Sequence, residues 1–480
     1  MARTLLTLLL VVTLQTGGRA QGPWQISAPA PAGLDRARAQ RDARSHLERL
    51  VALNTQNPPG NELIAAQYFD SVLKGIPGIE TRILPFGEGR ANFVARLRAT
   101  RPTKRALLIM GHMDTVGADP AKWTTQPFQV SESDGYLYGR GTIDDKGMLA
   151  SSLAALLQLA ARRETLTRDV IFLGTADEES GGGGIAHLIE HNFDLIKDAE
   201  FALNEGGNVV IDGGRVRVIN IQVTEKISYN VGAVAKGTSG HGSVPLPDNA
   251  LAALSRALAR VHEWKAPVRL NEVTREYFRR LATIETDPEI KRAMEAISRP
   301  GSDQKQVDAA AEILSRNPMN SAVMRTGVAV TMLNAGIRVN VIPSDATATL
   351  NVRPLPDGDI QADIAELNRI GGEKNVTFAL RGEVRKSPPI SPLNSDLFKA
   401  MEAAGKVMAP EAVAIPFMST GGTDGAELRA KGIPTYGILP MPMPDEDEMR
   451  MHGDNERVPI PSLGWAVEYL YRVLTLVASE

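Results

Sequence analysis

Three short apolar runs, at residues 106–110, 170–174 and 201–203, each end on a polar cluster containing histidine or acid. This arrangement constrains the fold more than any other feature of the chain. Runs of this length read as buried strands. Between and before them, residues 146–163 are rich in Ala and Leu, and residues 42–53 space apolar side chains at helical intervals. Strands alternating with helices predict an α/β sheet with helices on both faces. In such sheets, ligand sites gather at the carboxyl ends of the strands, which is where the histidine and the acids stand.

After about residue 226 the character changes. Residues 228–235 and 347–352 alternate apolar and polar positions, as half-buried antiparallel strands do. A charged stretch of helical composition, 263–316, lies between them. The α/β pattern returns from residue 397 and ends in a helix around 465–477. A chain of 480 residues is long for one core, so two domains are expected. A catalytic domain in two parts, 37–225 and 389–480, is interrupted by a smaller α+β domain, 226–388. Residues 21–36, rich in Ala and Pro, read as a linker.

Residues 1–20 follow the charged, apolar, small order of a secretory signal peptide. Arg3 precedes the apolar run 5–14, and small residues precede Gln21. That run is too short to span a bilayer. A secreted or periplasmic protein, with no membrane attachment after cleavage, is expected. The chain has no cysteine, so export brings no disulfides and any metal ligand must be His, Asp or Glu. A net charge of −3 speaks against a nucleic-acid partner, which would call for a basic face.

Seven histidines are few enough to weigh singly. His46 lies on an amphipathic helix and reads as structural, and His262 has no evident partner. His112, in Gly111-His112-Met113-Asp114-Thr115, follows the first apolar run. His112 and Asp114 are two apart and point the same way on an extended segment, so the carboxylate can orient the imidazole for a metal. Gly139-Arg140-Gly141-Thr142-Ile143-Asp144-Asp145 places two acids at the start of the long helix. Helix capping explains one of them and leaves the glycines unexplained. Asp177-Glu178-Glu179 follows the second run, and three consecutive acids there need a cation or protonation to sit together. Glu205 follows the third run, and His452 lies in a distant loop. Together, two histidines and several carboxylates at the strand ends of one sheet can hold two zinc ions with a position open for water.

These motifs, in this order, resemble the zinc amidohydrolase family of aminoacylases, acetylornithine deacetylase, succinyl-diaminopimelate desuccinylase and carboxypeptidase G. The resemblance runs from about residue 37 to the C-terminus. It implies a zinc-peptidase-like catalytic domain with a mixed sheet and an inserted lid and dimerisation domain. It implies that His112 and Glu205 bind one zinc, that His452 and Glu179 bind the other, and that Asp144 bridges them. Co2+ or Mn2+ are the expected substitutes. Glu178 would be the general base, and Asp114 would hold the tautomer of His112. The lid motif around Gly240-His241-Gly242 implies that His241 reaches across a homodimer to polarise the scissile carbonyl. Asn340 and Arg353 would bind the substrate carboxylate, and Gly422 and Thr423 would form a substrate-binding turn. The implied reaction is hydrolysis of an N-acyl amino acid or dipeptide bearing a free carboxylate. The departure is the helical stretch 263–316, longer than the compact lids. A similar extension marks the carboxypeptidase S and secreted fatty-acyl aminoacylase branch.

Three other readings compete. His187-Leu188-Ile189-Glu190-His191 matches the H-x-x-E-H pattern of single-zinc inverted zincins, but it leaves the strand-end acids without a role. A catalytically inactive binding relative would be expected to lose ligands, and none is missing. An aminopeptidase without a lid would lack the motifs at Asn340 and Arg353.

Overall fold

In the computed structural model the described residues are 26, 28–385 and 387–479. The signal-peptide expectation for residues 1–20 falls outside them. Residues 28–35 lie against the last helix, where Arg472 donates to the Pro29 carbonyl and Tyr471 to that of Ala32. Asp35 then caps the helix Arg36–Ala52 by accepting from the backbone of Arg38.

The predicted runs become the centre of a nine-stranded mixed sheet. Ala106–His112 lies between Val170–Thr175 and Ala199–Asn204, parallel to both. All residues of the first two strands are buried, as expected of parallel strands covered on both faces. Alternation assigns the faces. Leu107, Ile109 and Phe172 join the core beneath the helices Arg36–Ala52, Lys146–Ala160 and Ile460–Ala478. Leu108, Met110, Ile171 and Leu173 meet Ile185 and Leu188 of the helix Gly183–His191 on the other side. The sheet extends antiparallel through Ala91–Leu97 to Ile79–Pro85. Its far half contains Thr435–Gly437, Arg215–Glu225 and, as the edge, Val413–Ser419. The chain therefore returns after residue 389 to complete a sheet begun before residue 225.

The intervening segment forms a separate antiparallel sheet in the order Gly327–Ala335, Asp345–Arg353, Tyr229–Lys236, Val376–Arg381. The helices Ala250–Glu263 and Ile360–Gly371 cover one face and share its core. Its outer strand Gly327–Ala335 leaves Met332 and Leu333 exposed at 66% and 58%.

The charged stretch is helical, as its composition indicates, with helices Glu272–Leu281, Pro288–Ser298 and Gln304–Leu314. It is anchored to the large sheet rather than the small one. Phe278 is buried in the main core, and Arg280 donates to the Ala414 carbonyl of the edge strand at 2.7 Å and pairs with Glu402. An apolar helix face covering that strand removes an exposed sheet edge.

Candidate metal centre and active site

His112 ends its strand, and its Nε2 lies 2.8 Å from Asp144 Oδ1. The other oxygen of the same carboxylate lies 3.0 Å from His452 Nε2, which is also 3.2 Å from Glu179 Oε2. Asp144 thus stands between two imidazoles that are 340 residues apart in sequence. Donor atoms of His112, Asp144 and Glu179 lie within 4.8 Å of one another. Glu178 and Glu205 belong to the same charge cluster. Burial raises both: Glu178 to about 9, with the Asp424, Asp144 and Glu179 carboxylates adding to it, and Glu205 well above the carboxylate range, with the Glu178 and Asp144 carboxylates adding to it. Asp144 is held well below that range. Burial opposes this, but its bonds to His112 and His452 prevail. The same contacts, with Glu179, push His452 up to about 10. His112 rises too, because the Asp114 and Asp144 carboxylates outweigh its burial.

This donor set fits a divalent metal ion. The imidazole of His112 and the carboxylates of Asp144 and Glu179 stand within ligand reach of one another, with the half-exposed His452 imidazole against Asp144 and Glu179 and with more negative than positive groups around them. Such a cluster is stable only with cations among its oxygens or protons on them.

Gly111, and Gly141 of the glycines left unexplained in the sequence, shape this turn. A Cβ on Gly111 would collide with the Asp145 carboxylate, and Gly141 has φ of +85°, open to glycine at little strain. Glu456 fixes the turn by accepting from the backbone N–H of Gly141 and Ile143 at 3.1 and 2.7 Å.

Asp114 meets His112 chiefly through its backbone rather than its carboxylate. The Nδ1 of His112 meets the backbone carbonyl of Asp114 at 3.0 Å, while the carboxylate is 3.6 Å away, too far for a hydrogen bond. The carbonyl therefore fixes the tautomer. The carboxylate accepts from the backbone N–H of Glu178 and of Glu179, at 3.2 and 3.1 Å, and from Asn57 Nδ2 at 2.8 Å. Asn57 also donates to Asp177 at 2.8 Å, and Arg90 closes the network on Asn57 and Asp177 at 2.8 and 2.6 Å. Asp177 is left-handed, at φ +62°, and these bonds hold it there. Sequence reasoning missed Asn57, Arg90 and Glu456. The Asn57-Pro58-Pro59-Gly60 turn was the one available signal for the first of these.

Beside the acids opens a cavity of about 590 Å³ lined by Glu178, Glu179, Lys226, Arg353, Gly422 and Thr423, among others. Arg353 is held by Asn351 Oδ1 at 2.8 Å and by the Thr420 carbonyl at 2.7 Å. Thr423 donates to Glu225 through its backbone and its hydroxyl, at 2.7 and 2.9 Å. His241 and Asn340 sit elsewhere. His241 is exposed and bonded to Ser243 at 2.7 Å. The Asn340 carbonyl accepts from Gly242 at 2.8 Å, so the two lie side by side, and neither lines this cavity.

The H-x-x-E-H helix gathers no comparable cluster among the described residues. His187 stacks on Phe86 with ring centres 4.9 Å apart, and Glu190 and His191 are mostly exposed. His46 bonds Tyr68 at 2.7 Å in a structural role.

A cluster of imidazoles and carboxylates able to hold a metal, at the strand ends of a mixed sheet with an inserted second domain, is the site of a metal-dependent amide hydrolase. Residues 108–476 match peptidase family M20/M25/M40. The human N-fatty-acyl-amino acid synthase/hydrolase PM20D1 is 27% identical over 393 residues, which cover 79% of this chain and 75% of that one. The probable carboxypeptidase S-like 2 of Dictyostelium discoideum is 28% identical over 395 residues, covering 77% and 71%. The crystal structure of the M20 family metallo-carboxypeptidase Sso-CP2 from Sulfolobus solfataricus superposes with a TM-score of 0.66 at 20% identity, covering 91% of this chain and 99% of that one. The chain belongs to the M20 peptidase family and is a metallohydrolase.

Proposed function

We propose that this enzyme hydrolyses the amide bond of N-acyl amino acids or dipeptides bearing a free carboxylate, with two zinc ions per chain. The observation that carries the reading is that Glu178 and the Arg353 guanidinium line one cavity beside the metal cluster. His112 and Glu205 would hold one ion, His452 and Glu179 the other, with Asp144 shared. The ions would supply Lewis acidity, lowering the pKa of a water to about 7. Glu178 takes the proton of the attacking water and returns it to the departing amine. A bidentate guanidinium–carboxylate pair at Arg353 orients the substrate, and the backbone turn at Gly422 and Thr423 borders it.

The relatives' names support this substrate class, since one is an N-fatty-acyl-amino acid synthase/hydrolase and another a carboxypeptidase S-like protein. The discriminating experiment incubates the zinc-loaded protein with a panel of N-acyl amino acids, dipeptides and their C-terminal amides, read by mass spectrometry. Cleavage confined to free carboxylates supports the reading. Equal cleavage of the amides refutes it.

The lid would make the enzyme a homodimer. The exposed Met332 and Leu333 on an outer strand offer a surface for a second copy. His241 and Asn340, remote from their own cavity, would then serve the partner's site, with His241 stabilising the oxyanion. Mixing inactive His241→Ala chains with inactive Glu178→Ala chains should restore part of the activity. No recovery after confirmed subunit exchange would assign His241 to its own chain or to no role. Export through a cleaved signal peptide completes the proposal, and N-terminal sequencing of the exported protein tests it.

A further inference from the structure

Arg353 is not the only cation on the cavity wall. Lys226 and Arg385 line it as well. Lys226 is 2% exposed, and its ammonium donates to the Arg325 carbonyl at 2.6 Å. Arg385 comes from the segment that leads out of the small domain. Its guanidinium lies 5.9 Å over the Tyr229 ring and donates to the Ser228 carbonyl at 3.0 Å, while its own carbonyl accepts from the Tyr229 hydroxyl at 2.8 Å.

Among the described residues, none of these three cations forms an ion pair with a carboxylate. Outside the metal cluster, Asp424 is a buried acid of the same cavity that burial pushes up to about 7; the other acids nearby are engaged or peripheral. Glu225 is bound to Arg429 at 2.8 Å, Asp363 is held by the Thr326 hydroxyl at 3.2 Å, and Glu427 stands exposed on the cavity rim. Lys226 is buried, Arg353 half-buried and Arg385 exposed, and a buried cation is ordinarily paired. Three cations that share one wall and bond only to neutral oxygens outnumber the single carboxylate of a simple N-acyl amino acid.

We infer that Lys226 and Arg385 form a second anion subsite beside Arg353, and that the preferred substrates are amides carrying two carboxylates. The second carboxylate comes either from an acidic amino-acid side chain or from a dicarboxylic acyl group. The chemistry at the wall is the same for both. The inference rests on this cavity being the substrate site.

Binding separates it from catalysis. Calorimetry on the zinc-loaded Glu178→Ala protein compares N-acetyl-glutamate with N-acetyl-glutamine, and N-succinyl-leucine with N-pentanoyl-leucine. In at least one pair the dianion should bind about tenfold more tightly or better, the worth of one charge-assisted hydrogen bond. The pair that discriminates identifies the source of the second carboxylate. Adding Arg385→Ala should remove most of that ratio, and Lys226→Met should reduce it. Equal affinity within both pairs, or a preference that survives both substitutions, overturns the inference. If the unsubstituted enzyme cleaves none of the four compounds, the proposed reaction fails, while the binding ratios still decide the subsite.

Discussion

Arg140 and Glu456, 316 positions apart in sequence, form a 2.6 Å ion pair with both side chains buried. The pair joins the two halves of the metal cluster. Glu456 also accepts from the backbone N–H of Asp144 at 3.3 Å, and Arg140 donates to the carbonyls of His452 and Gly453 at 3.3 and 2.9 Å. His452, left-handed at φ +62°, is held in that conformation by this contact. Removing one member of a buried pair leaves the other uncompensated. Arg140→Met should therefore destabilise the protein by about 3–5 kcal/mol, measured by urea denaturation, and should weaken retention of metal by the protein that still folds.

The Arg90–Asn57–Asp114 network predicts a kinetic phenotype. Asn57 contacts neither the proposed ligands nor the cavity, yet it positions the carboxylate on which the Glu178 and Glu179 backbone rests. Asn57→Ala should lower kcat by about 10–100-fold, as loss of an outer-shell contact does, with a smaller change in KM, in the protein that remains folded. An effect confined to stability would make the network structural only.

Glu178→Ala should retain metal and fold while losing about 10²–10⁴-fold in kcat, because it removes the group that both accepts and returns the proton. Metal analysis alongside the rate measurement checks the assignment. Loss of metal from this variant would exchange the roles of Glu178 and Glu179.

Substrate affinity should depend on Lys226 in alkaline solution. Burial, and then the Arg353 guanidinium, lower its pKa from 10.5 to about 8. A carboxylate binds the ammonium form, so affinity is full below pH 8 and falls as the pH rises through it. Folding without ligand runs the other way. The unfolded chain holds this proton up to 10.5, so the lysine's contribution to stability rises between about 8 and 10.5. Lys226→Arg, charged throughout, should abolish the affinity step in a KM–pH profile.

The strand-end chemistry was legible because parallel strands, apolar on both faces, leave their carboxyl ends as the place where polar side chains can collect. His112, Glu178, Glu179 and Glu205 follow directly from that rule. Asp144 and His452 needed the order of motifs, since nothing in the spacing of 112, 144 and 452 requires two imidazoles to face one carboxylate. The contacts of Asn57, Arg90 and Glu456 were invisible because they depend on three-dimensional closure. Residues 55–57 run beside 113–115, with Asn57 donating to the Thr115 carbonyl at 2.8 Å, and no local periodicity encodes that pairing. The helical stretch 263–316 was readable as helix. Its attachment was not, because an amphipathic face does not say which sheet it covers.

The central claim is a dinuclear centre built from His112, Asp144, Glu179, Glu205 and His452. Metal content by mass spectrometry after zinc loading and desalting tests it most directly. The account predicts close to two zinc ions per chain, about one in His452→Ala, and no change in His191→Ala. A single ion, unaffected by His452→Ala and lost in His191→Ala, would contradict it and place the metal on the helix Gly183–His191.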